Sequence, residues 1–183
     1  MTQESQDRTG EFPRPGSVLF NTLCAGEKAQ QKTINQFKRV NKFLTIPLYR
    51  LRLLPLLGFG RIFLLLSTRG RKSGKIRRTP LEYRRINGII HVFASRGAKT
   101  DWYRNMRATP SDIHVQLGLR RFRARADFVE DQAELEEIMR YYVKHYPKAS
   151  KTLFGWNSKL DDPETADLSS LARLLKIVRL SKS

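Results

Sequence analysis

The residue pattern most capable of chemistry is a run of positive charge carried on a short turn. Residues 68–85, TRGRKSGKIRRTPLEYRR, contain six basic residues and no acid between Arg69 and Arg78. Two glycines bracket an Arg-Lys-Ser triplet, in the order Gly70, Arg71, Lys72, Ser73 and Gly74. Cationic side chains beside flexible backbone amides are suited to phosphate and carboxylate oxygens. The turn therefore predicts an anion-binding site, with a solvated basic loop as the alternative.

Three segments downstream carry residues that suit a flat ligand. Pro80 lies inside a strand-like run, and its missing N–H belongs at a strand edge or a bulge. The next strand-like run ends in Ala94, Ser95, Arg96 and Gly97, and a short predicted helix opens with Trp102 and Tyr103. An open strand edge, a rim of cations and two aromatic rings fit a planar cofactor with an anionic tail. Ordinary core packing is the alternative for one of the rings.

The whole chain is strongly basic. It has 35 Lys+Arg against 17 Asp+Glu, a formal charge of +18 over 183 residues. Nucleic acid, an anionic membrane or an anionic ligand can balance such an excess. The single cysteine, Cys24, excludes an internal disulfide, and three scattered histidines argue against a metal site. The basic turn is not a nucleotide-binding P-loop, because Ile76 stands where that motif has Ser or Thr.

Hydrophobic periodicity predicts a mainly β protein with flanking helices. Asn87-Gly88 between two apolar runs is a strong hairpin signal, because a type I′ turn needs positive φ at both positions. A second hairpin turns at Gly118, and Asp131 is the predicted N-cap of a long helix. The predicted strands cover residues 61–68, 76–86, 89–96, 113–117, 122–128 and 175–180, and the predicted helices cover residues 33–44, 101–107 and 131–146. Six mostly antiparallel strands favour a small closed or split barrel with helices outside.

The chain is predicted to form one folded domain behind an N-terminal segment. Residues 1–32 begin with a polar run that has no signal-peptide core, and they are predicted to be loose. Residues 33–183 are predicted to be a single barrel domain, with residues 33–57 as a helical and apolar extension. Prolines and arginines interrupt the apolar stretch, so it predicts no transmembrane helix. The part from Phe43 to Leu57 either packs on the core or lies on a membrane as an amphipathic anchor.

Four motifs follow one another between Leu64 and Pro147: LLLSTRGRKSGKIRRTPLEY, the Asn-Gly hairpin, VFASRG and TDWYRN. In order and spacing, this part of the chain resembles the deazaflavin-dependent nitroreductase family. The family implies an FMN-binding split-barrel-like fold that binds coenzyme F420, a 5-deazaflavin with a phosphate and an oligoglutamate tail. The basic turn suits that tail better than the single phosphate of FMN. The resemblance implies an oxidoreductase that transfers a hydride from reduced F420 to a nitro compound, quinone or enone.

The resemblance also implies roles for individual residues. The phosphate or the tail carboxylates would be held by Arg71, Lys72, Ser73, Arg77 and Arg78. The deazaflavin ring would be flanked by Thr79, Pro80 and Leu81, met from the adjacent strand by Ala94, Ser95, Arg96 and Gly97, and bordered by Trp102 and Tyr103. No catalytic residue is assigned, because the cofactor carries the chemistry. Ser95 and Tyr103 are the candidates for donating a hydrogen bond or a proton to the acceptor.

Two departures from the family pattern concern the substrate side. Family members that act as nitroreductases tend to have aromatic residues after the Tyr-Pro pair, but here residues 148–151 are Lys-Ala-Ser-Lys. Glu82 also stands where an apolar residue is common. These departures leave the acceptor open.

The alternative function is a basic barrel that binds nucleic acid or an anionic membrane without catalysis. In that hypothesis Tyr83, Trp102 and Phe122 would stack bases along a cationic groove, or the apolar extension would contact lipid. The oxidoreductase hypothesis predicts a small-molecule acceptor and no specific nucleic acid, in a cytoplasmic protein that can also contact an anionic membrane. The sequence does not predict the oligomeric state.

Overall fold

A computed structural model describes residues 11–40, Pro47 and residues 62–183. The strands are β1 (Phe63–Arg69), β2 (Ile76–Ile86), β3 (Ile89–Ala94), β4 (Ile113–Leu117), β5 (Arg120–Val129) and β6 (Lys176–Lys182). The helices are α1 (Glu27–Val40), α2 (Asp101–Ala108), α3 (Gln132–His145), α4 (Pro147–Phe154) and α5 (Ser169–Leu174), with a π-helical turn at Phe20–Cys24. In these described residues, no helix has the length and apolar character needed to cross a bilayer.

The six strands form a closed barrel in the order β1-β2-β3-β6-β5-β4, and every neighbouring pair is antiparallel. The Asn-Gly hairpin is confirmed, because Asn87 and Gly88 have φ values of 50° and 79°. The second hairpin turns at Gly118, whose φ is 59°. The predicted six-stranded antiparallel barrel with flanking helices is therefore confirmed, and the predicted bounds of β2 and β4 match the observed ones.

Strand β2 pairs with β1 from Ile76 to Glu82 and with β3 only from Tyr83 to Ile86. Its pairing with β1 includes Pro80 opposite Leu65, whereas the β3 ladder starts at Tyr83. The Tyr83 N–H donates to the carbonyl of Ile62, on the β1 side. Backbone groups of successive strand residues point to alternate edges, so the nitrogen of Pro80 faces the β3 side. The missing N–H therefore lies where the ladder is open, as predicted for a proline at a strand edge.

Two hydrophobic cores lie on either side of the barrel wall. The interior core contains Leu64, Leu66, Val92 and Met106, each fully buried. The second core lies outside the wall, where the buried face of α3 meets α4 and α5. The stripe predicted for α3 is confirmed by its buried residues Leu135, Ile138, Met139, Tyr142 and Val143. Asp131 accepts a hydrogen bond from the Glu134 N–H, as the predicted N-cap requires.

The N-terminal segment is part of the outer core, so the expectation that residues 1–32 are loose is wrong for residues 11–32. Phe12 is 3% exposed and its ring stacks on Trp156 at 5.6 Å. Arg14 makes two hydrogen bonds to the Asp161 carboxylate, at 2.7 and 2.5 Å. Helix α1 begins at Glu27, earlier than predicted. The apolar stretch Phe43–Leu57, including its membrane-anchor interpretation, lies outside the described residues apart from Pro47.

Two short helices near the C-terminus were not predicted. Helix α4 begins at Pro147, which the sequence analysis treated only as the end of α3. Proline is well suited to the first position of a helix, where its missing N–H has no intrahelical partner to lose. The helix ends at Gly155, whose φ is 84°, in the left-handed conformation common after a helix. Helix α4 matters for function because Thr152, Leu153 and Phe154 line a cavity beside β2.

Replacing Phe12 with alanine should lower the free energy of unfolding by about 3–5 kcal/mol, because a fully buried aromatic side chain is lost from a packed core. The measurement is urea denaturation of the full chain. The control is Leu160→Ala, at a side chain that is 74% exposed, where we expect a change within about 0.5 kcal/mol. Equal stabilities of the two variants would contradict the packing of the N-terminal segment.

Candidate active site

The basic turn is closed by its own backbone. The N–H groups of Ser73 and Gly74 both donate to the carbonyl of Gly70, and the Gly70 N–H donates to the carbonyl of Lys75. The Arg71 N–H donates to the Asn105 side chain at 3.2 Å. These four amides therefore already have protein acceptors, and the expectation that backbone amides of the turn meet an anion rests on the Lys72 N–H. Anion binding at this turn otherwise depends on the side chains.

Arg71 differs from the other cations of the turn because its side chain is fixed to α2. Its guanidinium donates to Asp101 at 3.2 Å and to the buried Asn105 at 3.1 Å. The remaining predicted anion-binding residues are exposed: Lys72, Ser73, Arg77 and Arg78. The turn and the start of β2 thus combine one structural arginine, Arg71, with the exposed cations Lys72, Arg77 and Arg78, which are available to a ligand.

A cavity of about 470 Å³ lies beside the open edge of β2. Six of the predicted cofactor residues line it: Thr79, Pro80, Leu81, Ser95, Arg96 and Trp102. The other lining residues come from the N-terminal segment, α1, β1, β2, β3, α3, α4 and the end of α5: Val18, Leu19, Thr22, Ile34, Phe63, Glu82, Phe93, Met139, Tyr142, Thr152, Leu153, Phe154 and Leu175, which follows the last residue of α5. A mostly apolar cavity with a few polar groups is typical of a small-molecule site.

Three predicted residues lie elsewhere. Ala94 is buried in the barrel wall opposite Lys176. Gly97 has a φ of 52°, and a Cβ there would lie 2.6 Å from the carbonyl oxygen of Leu174, so this glycine is required by packing. Tyr103 packs edge-on against Phe128 at 5.4 Å and does not line the cavity. Of the two candidate donors, Ser95 lines this cavity, whereas Tyr103 packs in the interior core and borders a second groove.

A second, more open groove of about 680 Å³ lies on the other side of α2. Charged side chains dominate its wall, which is formed by Arg71, Ala98, Tyr103, Arg104, Arg107, Ala108, Glu130 and Lys176. The smaller cavity is the better candidate for a planar ligand, because it is enclosed by apolar side chains and by the open edge of β2.

The sequence analysis missed a polar network on the cavity wall. The Tyr142 hydroxyl donates to the Glu82 carboxylate at 3.1 Å, and Arg84 forms an ion pair with the same carboxylate. Burial, reinforced by the nearby Glu82 charge, raises the pKa of Tyr142, and Arg84 partly opposes this effect. Glu82 had a signal, namely its departure from an apolar position, whereas the helical stripe gave Tyr142 only as a core residue.

The family model for F420H(2)-dependent quinone reductases matches residues 56–153 of this chain. That match includes the basic turn, the open edge of β2 and the segment through α2. The chain belongs to this family. It is an F420-dependent oxidoreductase, and its cofactor is coenzyme F420. The alternative of a non-catalytic barrel that binds nucleic acid or membrane finds no support in this membership.

Several solved structures are similar to this chain. An F420-H2 dependent reductase, FDR-A, is 26% identical over 66% of this chain and 95% of its own, with a TM-score of 0.44. A domain-swapped dimer is 24% identical over 75% of this chain and 99% of its own, with a TM-score of 0.45. A conserved hypothetical protein from Mycobacterium tuberculosis is 19% identical over 66% of this chain and 72% of its own, with a TM-score of 0.47. No curated protein gives a significant match.

The residues present fit F420. Its phosphate and glutamate carboxylates need cationic donors, and the turn offers exposed Lys72, Arg77 and Arg78 beside the cavity. Its flat ring needs an apolar slot, and the cavity volume lies within the range of about 300–1,000 Å³ that is usual for small-molecule sites. Arg96 adds a positive charge on the wall of the cavity itself.

The raised pKa of Tyr142 predicts a loss of stability in alkali. The unfolded chain loses the Tyr142 proton near the ordinary tyrosine value of about 10, whereas the folded chain keeps it. Above that pH the unfolded state binds fewer protons, so the free energy of unfolding falls as pH rises. Tyr142→Phe should reduce this fall by up to about 1.4 kcal/mol per pH unit.

The measurement is urea denaturation of the wild type and the variant at several pH values from about 9 to 11, spanning the ordinary tyrosine pKa. The matched control is Tyr141→Phe, the neighbouring tyrosine, which is half-buried and stacks on His145. Identical alkaline slopes for the wild type and Tyr142→Phe would contradict the account of this network.

Proposed function

We propose that this protein transfers a hydride from reduced F420 to a neutral, flat electrophile, and that a quinone is the acceptor class. The observation that carries the proposal is the apolar cavity at the open edge of β2, walled by Trp102, Phe93 and Phe154. Aromatic and aliphatic walls suit a quinone ring, and the family description names quinone reduction. Bound F420 supplies the hydride from its deazaflavin ring.

In the proposed complex, Lys72, Arg77, Arg78 and Arg96 bind the phosphate and tail of the cofactor. Each can donate charge-assisted hydrogen bonds to phosphate or carboxylate oxygens. Thr79, Pro80 and Leu81 provide backbone and side-chain surface against the ring, because this stretch of β2 has no β3 partner. Trp102 provides an aromatic wall. Arg71 has a different role, since its bonds to Asp101 and Asn105 hold the turn against α2.

The protein's own contribution to chemistry is to exclude water and to bind the charge that develops on the acceptor. Apolar side chains from α3, α4 and the N-terminal segment cover the cavity, which strengthens electrostatic interactions inside it. Ser95 lines the cavity, and in this proposal its hydroxyl donates a hydrogen bond to an acceptor oxygen as that oxygen gains negative charge. Tyr142 is a poor proton donor, because its hydroxyl already donates to Glu82.

Lys72→Ala and Arg77→Ala should each weaken F420 binding about tenfold or more, since a charge-assisted hydrogen bond contributes roughly 1.5–3 kcal/mol. Thermal stability should hardly change, because exposed cations contribute little to folding. The measurement is a fluorescence titration of F420 at fixed salt concentration.

The matched control for these variants is Arg125→Ala, an exposed arginine on β5. Unchanged affinity is expected for this variant. An equal loss in all three variants would show that only the overall charge acts, and no loss in either turn variant would refute the assigned cofactor site.

A further inference from the structure

One acidic side chain is built into the wall of the apolar cavity. Among the described residues that line it, Glu82 is the single acidic residue and Arg96 is the single basic residue. Glu82 lies next to Tyr83, where β2 begins to pair with β3. A carboxylate on an apolar wall is costly unless it is paired, so its position calls for a specific explanation.

The partners of Glu82 all hold the same oxygen. Tyr142 donates to Oε1, and the Arg84 ion pair is also formed with Oε1. Arg84 does not line the cavity, and its guanidinium lies over the Tyr146 ring at 4.7 Å. Within the part of the chain that the structure describes, Oε2 has no hydrogen-bond partner. The protein thus holds the carboxylate through Oε1, and Oε2 can accept a hydrogen bond from a ligand.

The charges of the cavity are separated along β2. Thr79 and Glu82 both line the cavity from β2, whereas Arg96 lines it from the turn that follows β3. Three residues of β2 separate Thr79 from Glu82, which is ~10 Å at about 3.3 Å per residue. The Thr79 end of this wall is the cationic end, because it adjoins the exposed Arg77 and Arg78 in the sequence, whereas the other end carries the Glu82 carboxylate.

Resting on the proposed function, we propose that Glu82 determines acceptor specificity. The cationic end takes the anionic cofactor, so the acceptor occupies the end that Glu82 lines. There the carboxylate favours a neutral acceptor, especially one with a hydroxyl or amino group that donates to Oε2, and disfavours an acceptor bearing a carboxylate or sulfonate. Like charges repel strongly where water is excluded, and a donor group gains a charge-assisted hydrogen bond.

The first test measures binding without turnover. Calorimetry gives the affinities of 2-naphthol, a neutral donor, and of naphthalene-2-sulfonate, an anion, for the full chain with and without oxidised F420. We expect the wild type to bind 2-naphthol at least tenfold more tightly. Glu82→Gln should reduce that preference about tenfold, because it removes the charge and keeps the shape. Arg84→Met should increase the preference, because it removes the compensating cation.

The second test measures turnover of reduced F420 with 1,4-naphthoquinone and with its 2-sulfonate. The intrinsic reactivities of the two quinones cancel when the ratio of their kcat/KM values is compared between wild type and variant. Glu82→Gln should shift this ratio about tenfold toward the sulfonate. The matched control is Glu164→Gln, a surface carboxylate paired with Lys144, which should leave both the binding preference and the ratio unchanged.

The proposal is overturned if folded Glu82→Gln keeps the wild-type binding preference, or if Glu164→Gln changes it equally. It is also overturned if Arg84→Met reduces the preference. A wild type that binds the naphthalenes with the expected preference but reduces no quinone would refute the proposed quinone reductase activity and leave the role of Glu82 supported by the binding data.

Discussion

Pro80 has no N–H to donate on the edge of β2 that faces β3, and the ladder between these strands begins only at Tyr83. The barrel is therefore closed in its strand order but open along part of one strand pair. This opening exposes strand backbone beside an apolar space of about 470 Å³. The helices outside the barrel and the N-terminal segment cover that space, so the site depends on contacts between distant parts of the chain.

Charged side chains near the cavity are the second feature of the site. The exposed Arg77 and Arg78 precede Thr79, which lines the cavity, and the Glu82 carboxylate lines it three residues further along β2. Arg71 is held by Asp101 and Asn105, so one arginine of the turn stabilises the site and its neighbours remain available to the cofactor. The net charge of +18 thus includes cations with different roles, and in the proposed complex the exposed cations bind the phosphate and tail of F420.

Local signals made the barrel predictable, whereas long-range packing was not. Asn87-Gly88 fixed one hairpin because few residue pairs tolerate positive φ twice in succession. In contrast, Phe12 was assigned to a loose segment because its partner, Trp156, lies 144 residues away in the sequence. The site followed the same rule. Pro80, Ser95 and Trp102 follow from local motifs, and Thr79 and Leu81 follow from the family resemblance. The contact between Glu82 and Tyr142 joins β2 to α3, so the unusual residue type at position 82 could not reveal its partner.

The central claim is that the cavity and the basic turn form one binding site for a deazaflavin with a long anionic tail. An equilibrium fluorescence titration of the full chain with F420, compared with FMN at the same salt concentration, tests it most directly. We predict saturable binding of one F420 per chain, tighter than FMN, because the turn has more cations than a single phosphate can use. Equal or tighter binding of FMN, or F420 binding that does not saturate, would contradict this account.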